Sequence, residues 1–147
     1  MQSVQFSGSK ETHMHTRLTA LTPQALSILR IVSGYLLLLH GTAKLLGLPF
    51  IQIFAQFEPS SLAGAAAVIE LVCGTLLLVG LLTRAAAILA SGLCASAYFI
   101  GHVALAGSPF FPLLNGGESS VLFCFVFLYI FFAGPGPWSL DAMKHVE

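Results

Sequence analysis

Four long apolar blocks divide the chain, approximately Ala25 to Leu48, Leu62 to Leu82, Ala85 to Ala106 and Gly117 to Ala133. A helix rises about 1.5 Å per residue, so blocks of this size match a hydrocarbon core of roughly 30 Å. The fourth is short and can begin as early as Gly116. The breaks read LPFIQIFAQFEPSS, LLTRAA, AGSPFFPLLNGG and GPGPWSLD. Their prolines and glycines cannot continue helices, and irregular backbone is excluded from lipid, so each break belongs at an interface. The pattern predicts an all-α membrane protein, a bundle of four transmembrane helices. The segment from Phe50 to Phe57 is apolar enough to lie along the headgroups without forming a further span.

Composition agrees with the pattern. Hydrophobic residues make up 56% of the 147 and charged residues only 8%, too greasy for a water-soluble domain. Six basic and six acidic side chains cancel, so there is no basic arm for nucleic acid, and charge informs through its position. Lys10, Arg17 and Arg30 flank or enter the first helix, Arg84 lies between the second and third, and Lys144 follows the fourth. The loops from Pro49 to Ser61 and Gly107 to Gly116 hold no lysine or arginine. The positive-inside rule therefore places both termini in the cytoplasm. Three segments follow: a polar cytoplasmic stretch over 1–24, the transmembrane domain over 25–133 and a short cytoplasmic tail over 134–147. The polar start lacks the apolar core of a signal peptide, so the first helix is expected to be uncleaved. Trp138, after GPGP, suits an interfacial anchor.

Ionisable side chains inside the membrane cost about 2.5 to 3.5 kcal/mol each and need partners or a purpose. His40 and Lys44 stand four residues apart on the first helix, with Gly41 between them allowing close approach of a neighbour. Glu70 lies roughly 12 Å into the second helix by rise. His102 comes near the end of the third, and Asn115 and Glu118 open the fourth. All are expected in the outer half of the bilayer. Blander roles stand beside these: Lys44 can snorkel to the interface, His102 can be an interfacial side chain, and Glu118 can favour a helix dipole. Glu70 is the hardest to explain away, since a carboxylate at that depth must be protonated, paired or facing water.

Cys73, Cys94 and Cys124 form no CxxC pattern and read as packing residues, with no metal site and no disulfide framework. Gly34, Gly41, Gly74, Gly80, Gly92 and Gly101 read as helix contacts, and the phenylalanine-rich fourth block as lipid-facing and packing surface. The two halves show a weak similarity, in which Arg30, His40 and Glu70 would correspond to Arg84, His102 and Glu118, a parallel duplication.

Arg30 followed by GYLLLLHGTAKLLGLP, then IELVCGTLLLVGLLTRAAAI, PFFPLLNGGESSVLF and GPGPWSLD, in that order, resembles the DoxX family of small bacterial membrane proteins. The resemblance runs from Arg30 to Asp141. It implies a multi-pass protein of the bacterial inner membrane associated with quinone-linked oxidation, including the thiosulfate:quinone oxidoreductase relatives. Carried onto this chain, His40, Gly41 and Lys44 match the first-helix motif, Glu70 and Arg84 the second-helix region, and Asn115, Gly116, Gly117 and Glu118 the entry to the fourth.

The leading expectation is thus a subunit or accessory of a quinone-linked oxidoreductase system. Glu70 and His40 are its expected catalytic residues, and Lys44, Gly41, His102, Asn115 and Glu118 its ligand-binding ones. Lys44 or His40 would hydrogen-bond a quinone carbonyl and Glu70 would handle a proton. No intrinsic cofactor is expected beyond the quinone, so the electrons require a protein partner with a redox centre, in addition to the lipid bilayer. A homo-oligomer is left open. Three alternatives compete: a proton-coupled transporter of a small solute, a scaffold that recruits a soluble oxidoreductase, and bis-histidine haem ligation through His40 and His102.

Overall fold

Pro23 in its first turn and the left-handed Gly47 at its end delimit the first long helix, α1, Thr22–Leu46. The computed structural model describes residues 16–54 and 57–144, so most of the polar start and the last three residues lie outside the described residues. Residues 16–20 form a helical turn ahead of α1. After α1 the chain makes a 3₁₀ turn at Gln52–Phe54, within the segment expected to lie along the headgroups, of which residues 55 and 56 are not described.

The second helix, α2, Leu62–Val79, starts where the Ser61 hydroxyl accepts the Gly64 N–H at 3.3 Å. It stops at Gly80, whose φ of 70° lets the Leu81 N–H reach back to the Leu76 carbonyl at 2.9 Å. The apolar block runs on to Leu82, but the helix ends earlier because this glycine turns the chain. The third helix, α3, Thr83–Ala106, is continuous and carries a π-helical stretch over Ala97–Val103. A one-turn helix at Pro112–Asn115 precedes α4, Glu118–Ala133, and a short α5, Leu140–Lys144, ends the described chain.

Helix is the only regular structure among the described residues. Three helices, α1, α2 and α3, are long and apolar enough to cross a membrane, and α4 is a shorter apolar helix of 16 residues. The helices pack as two consecutive pairs, α1 on α2 and α3 on α4, with α2 and α3 joining the pairs. Glycines set the first contact. A Cβ on Gly41 would lie 2.6 Å from the Leu71 nitrogen, and one on Gly34 2.8 Å from the Leu78 nitrogen. Gly92 and Gly101, expected to be contacts of the same kind, instead face open space.

Between the pairs Leu37, Cys73, Leu77, Ala90, Cys94, Phe127 and Ile130 form the buried core, and the cysteines there are free. Outside it, Val32, Leu36, Val68, Val72, Leu89, Leu122 and Phe125 are exposed, an apolar surface suited to lipid. The fold thereby leaves one end of the bundle to the helix-ending motifs and the C-terminal tail, and the other to the two longer loops.

Candidate functional site

The Lys44 ammonium crosses from α1 to α2 and donates to both Glu70 oxygens, at 2.7 and 2.9 Å. The side chains are only 16% and 12% exposed, so the charges neutralise one another where neither is well solvated. Of the readings open for Lys44, the structure selects pairing over snorkelling. Its Nζ also lies 5.5 Å from the centre of the Phe54 ring, within range of a cation–π contact.

The other expected members of this cluster are elsewhere. His40 is exposed on α1. Although it stands one turn from Lys44, its short side chain cannot bend round the helix as the lysine stem does. Gly41 is buried, but against the α2 backbone near Ala67 and Leu71, so it serves helix packing. Glu118 is exposed in the first turn of α4.

His102 and Asn115 form a separate cluster at the same end. His102 Nδ1 lies 3.0 Å from the Asn115 carbonyl, which only accepts, so Nδ1 carries the proton. Its Nε2 is then left to face the Ser120 hydroxyl at 3.4 Å. Asn115 Nδ2 donates to the carbonyls of Gly107 and Ser108, both at 3.3 Å, and its Oδ1 accepts the Gly117 N–H at 2.9 Å. Tyr98, buried in the π-helical stretch, donates its hydroxyl proton to the Pro109 carbonyl at 2.8 Å. Sequence reasoning missed Tyr98, since a tyrosine in an apolar block reads as core. The five ionisable residues expected in one cluster are thus divided between an ion pair, a backbone-bound histidine and two exposed side chains.

The opposite end holds the arrangement that sequence reasoning assigned to topology alone. Arg30 is fully buried. Its Nε donates to the Pro135 carbonyl at 2.7 Å, and its terminal nitrogens to the carbonyls of Leu77, Leu78 and Trp138. The guanidinium therefore ties the end of α2 to the GPGPWSLD turn through carbonyls in the last turn of the helix, where backbone donors run out. Arg84 repeats the device, donating to the carbonyls of Phe131 and Phe132 at the end of α4. In both cases the acceptors lie 47 and 48 residues beyond the arginine. Each arginine also lies against a left-handed glycine, Gly80 for Arg30 and Gly134 for Arg84.

The internal similarity therefore holds for the arginines and not for the acids. The offset that relates Arg30 to Arg84 carries Lys44 to Tyr98 and Glu70 to Cys124, leaving Glu118 opposite Gly64. The tail completes the end of the bundle, since Asp141 accepts the backbone N–H groups of Leu82 and Thr83 at 2.9 and 2.8 Å and caps α3. Trp138 is 54% exposed beside this turn. Among the described residues no group of three or more histidine, cysteine or acidic side chains is placed to hold a metal ion.

Comparison with known proteins agrees with this architecture. A protein of Haemophilus influenzae described as an uncharacterized protein is 46% identical over 122 residues, which cover 81% of this chain and 90% of the relative. No solved structure matches the chain. The model of the DoxX family matches residues 25–103, from α1 through the π-helical stretch of α3. With more than half its length matched, and with helices apolar enough to span a bilayer, the chain belongs to the DoxX family of membrane proteins.

Proposed function

We propose that this protein is a four-pass accessory subunit of a quinone-linked oxidoreductase system in the bacterial inner membrane, with both termini in the cytoplasm. The observation that carries the reading is the Lys44–Glu70 pair, an acid and a base bonded to each other between two apolar helices beside an aromatic ring. Lysine has three N–H donors, and Glu70 takes two of them. The third suits a quinone carbonyl, with the Phe54 ring near enough to flank the quinone ring and the exposed apolar helix faces suited to its tail. Reduction of a quinone to a quinol takes two electrons and two protons. The electrons come from a partner protein with a redox centre, and both protons come from water, relayed one after the other through the Glu70 carboxylate. His40 is left out of this mechanism, because its side chain is exposed while the pair is nearly buried.

The topology has its own support. All four helix ends on the Arg30 side lie near basic residues, and α4 is brought to the interface by Arg84. The test is binding of a short-chain quinone to the protein in nanodiscs, followed by fluorescence quenching or calorimetry. Lys44→Met and Glu70→Gln are expected to weaken binding at least tenfold and His40→Ala to leave it unchanged. Equal binding by all four proteins would remove the reading. A second reading is favoured by the bidentate closure of the same pair: the bond simply locks α1 to α2 in a scaffold that recruits a soluble oxidoreductase. Then the pair's removal lowers stability and partner capture, and quinone binds none of the proteins.

A further inference from the structure

The segment joining α3 to α4, residues 107–117, is unusually apolar for a loop. Phe110 is 87% exposed, Leu113 74% and Leu114 71%, and the stretch carries no lysine or arginine. Three observations say what covers it. The first is the fate of its backbone. Side chains accept no part in this work by chance of proximity alone: Asn115 serves the Gly107 and Ser108 carbonyls, Tyr98 serves Pro109, and His102 serves Asn115 itself. Within the segment the Phe111 N–H reaches Ser108 O at 3.0 Å and the Gly117 N–H reaches Pro112 O at 3.0 Å. A loop in water has solvent for these groups. Irregular backbone at membrane depth persists only where the protein satisfies it.

The second observation is length. With 16 residues, α4 spans about 24 Å by helical rise, short of a hydrocarbon core of roughly 30 Å. The end at which α4 begins is the end this segment covers. The third is continuity. Phe110, Phe111 and Leu114 form one wall of an open groove of about 580 Å³, Val121, Leu122 and Phe125 of α4 form the other, and the exposed Glu118 in the first turn of α4 also lines it. Leu122 and Phe125 are 65% and 63% exposed, so the groove opens directly onto the lipid-suited face of α4.

We infer that residues 107–117 form a hairpin lying at the membrane interface at that end, its backbone at headgroup level and Phe110, Leu113 and Leu114 dipping into the hydrocarbon, with its groove against α4 filled by a lipid acyl chain. Asn115, Tyr98 and His102 then stand in for the water that the hairpin's carbonyls would otherwise require. This assigns Asn115 and His102 a task within the fold, and it holds whether or not the protein binds a quinone.

Depth-dependent quenching tests it. The full chain carrying Trp138→Phe, with a single tryptophan placed by Phe110→Trp or, in a second protein, Leu113→Trp, is reconstituted in phosphatidylcholine vesicles. Lipids brominated on their acyl chains are expected to quench both reporters at least threefold more than aqueous iodide does. Strong quenching by iodide overturns the inference by placing the hairpin in water. Quenching by neither overturns it too, since a protein surface then covers the segment. Adding Asn115→Ala is expected to raise amide hydrogen exchange at Gly107 and Ser108 while exchange in α2 stays unchanged; unchanged exchange at these two amides counts against the inference.

Discussion

The Asp141 carboxylate reaches back 58 residues to accept the Thr83 backbone N–H at 2.8 Å, so the tail supplies the cap that α3 lacks in its own sequence. Partial burial pushes the Asp141 carboxyl upward, but the bonds from Thr83 and Leu82 and the nearby Lys144 favour its charged form more. It therefore sits below the ordinary carboxylate value. A group depressed on folding stabilises the fold above its unfolded value, about 3.9 for aspartate, and loses that contribution as pH falls through the lower folded value. Thermal unfolding in detergent, followed from pH 7 to pH 3, is expected to show a loss of stability in the acid range that Asp141→Asn reduces. At pH 7 Asp141→Ala, which removes the cap, is expected to cost about 1 kcal/mol.

Arg30 is expected to be the least replaceable residue of the chain. Its guanidinium serves four carbonyls from a fully buried position, and hydrogen bonds from a charged donor contribute about 1.5 to 3 kcal/mol each. Arg30→Met should prevent accumulation of folded protein. Arg30→Lys, which keeps the charge but not the planar fork, should fold with a melting temperature lowered by many degrees. Arg84→Lys should cost less, because Arg84 is exposed. Detergent-solubilised yield and melting temperature rank the three.

The Lys44–Glu70 pair makes a prediction about coupling. Lys44→Met leaves a nearly buried carboxylate alone, and Glu70→Gln does the same to the ammonium, so each single change should destabilise by a few kcal/mol. Lys44→Met with Glu70→Gln removes both charges and should recover part of that loss. A double-mutant cycle measured by chemical unfolding should give a coupling of about 1 to 3 kcal/mol. Additive losses would mean that the two charges do not meet.

Two glycines should respond in opposite ways to the same substitution. At Gly80 the backbone has φ of 70°, and a Cβ would run into Ser139 and lie 2.8 Å from the Arg30 guanidinium. Gly80→Ala should therefore cost well over 1 kcal/mol. Gly92 is helical and has nothing within 4 Å of a Cβ, so Gly92→Ala should leave stability unchanged or raise it by about 0.5 to 1 kcal/mol. Melting temperatures of the two proteins decide it.

The apolar blocks announced their helices because a bilayer constrains composition over whole segments, and the boundaries shifted by a few residues at most, where Pro23, Gly47, Gly80 and the start of α3 at Thr83 imposed a local start or turn. Depth was legible more coarsely: counting residues put Lys44 and Glu70 in the same half of the bundle, and the structure joins them. Facing was not. Hydropathy carries little information about rotation when a helix is apolar all round, so His40 and His102 looked alike although one is exposed and the other bound to Asn115. Arg30 was hidden differently. A charge near a helix end reads as topology, and its acceptors are main-chain carbonyls, which leave no mark in a sequence.

That last point reaches past this molecule to how such a chain can change over generations. A carbonyl belongs to every residue, so no replacement at positions 77, 78, 131 or 132 deletes an acceptor. The fastening at that end of the bundle depends on two arginine side chains and the glycines that leave them room, while at the offset that relates the arginines the chain has an ion pair in one half and a tyrosine and a cysteine in the other.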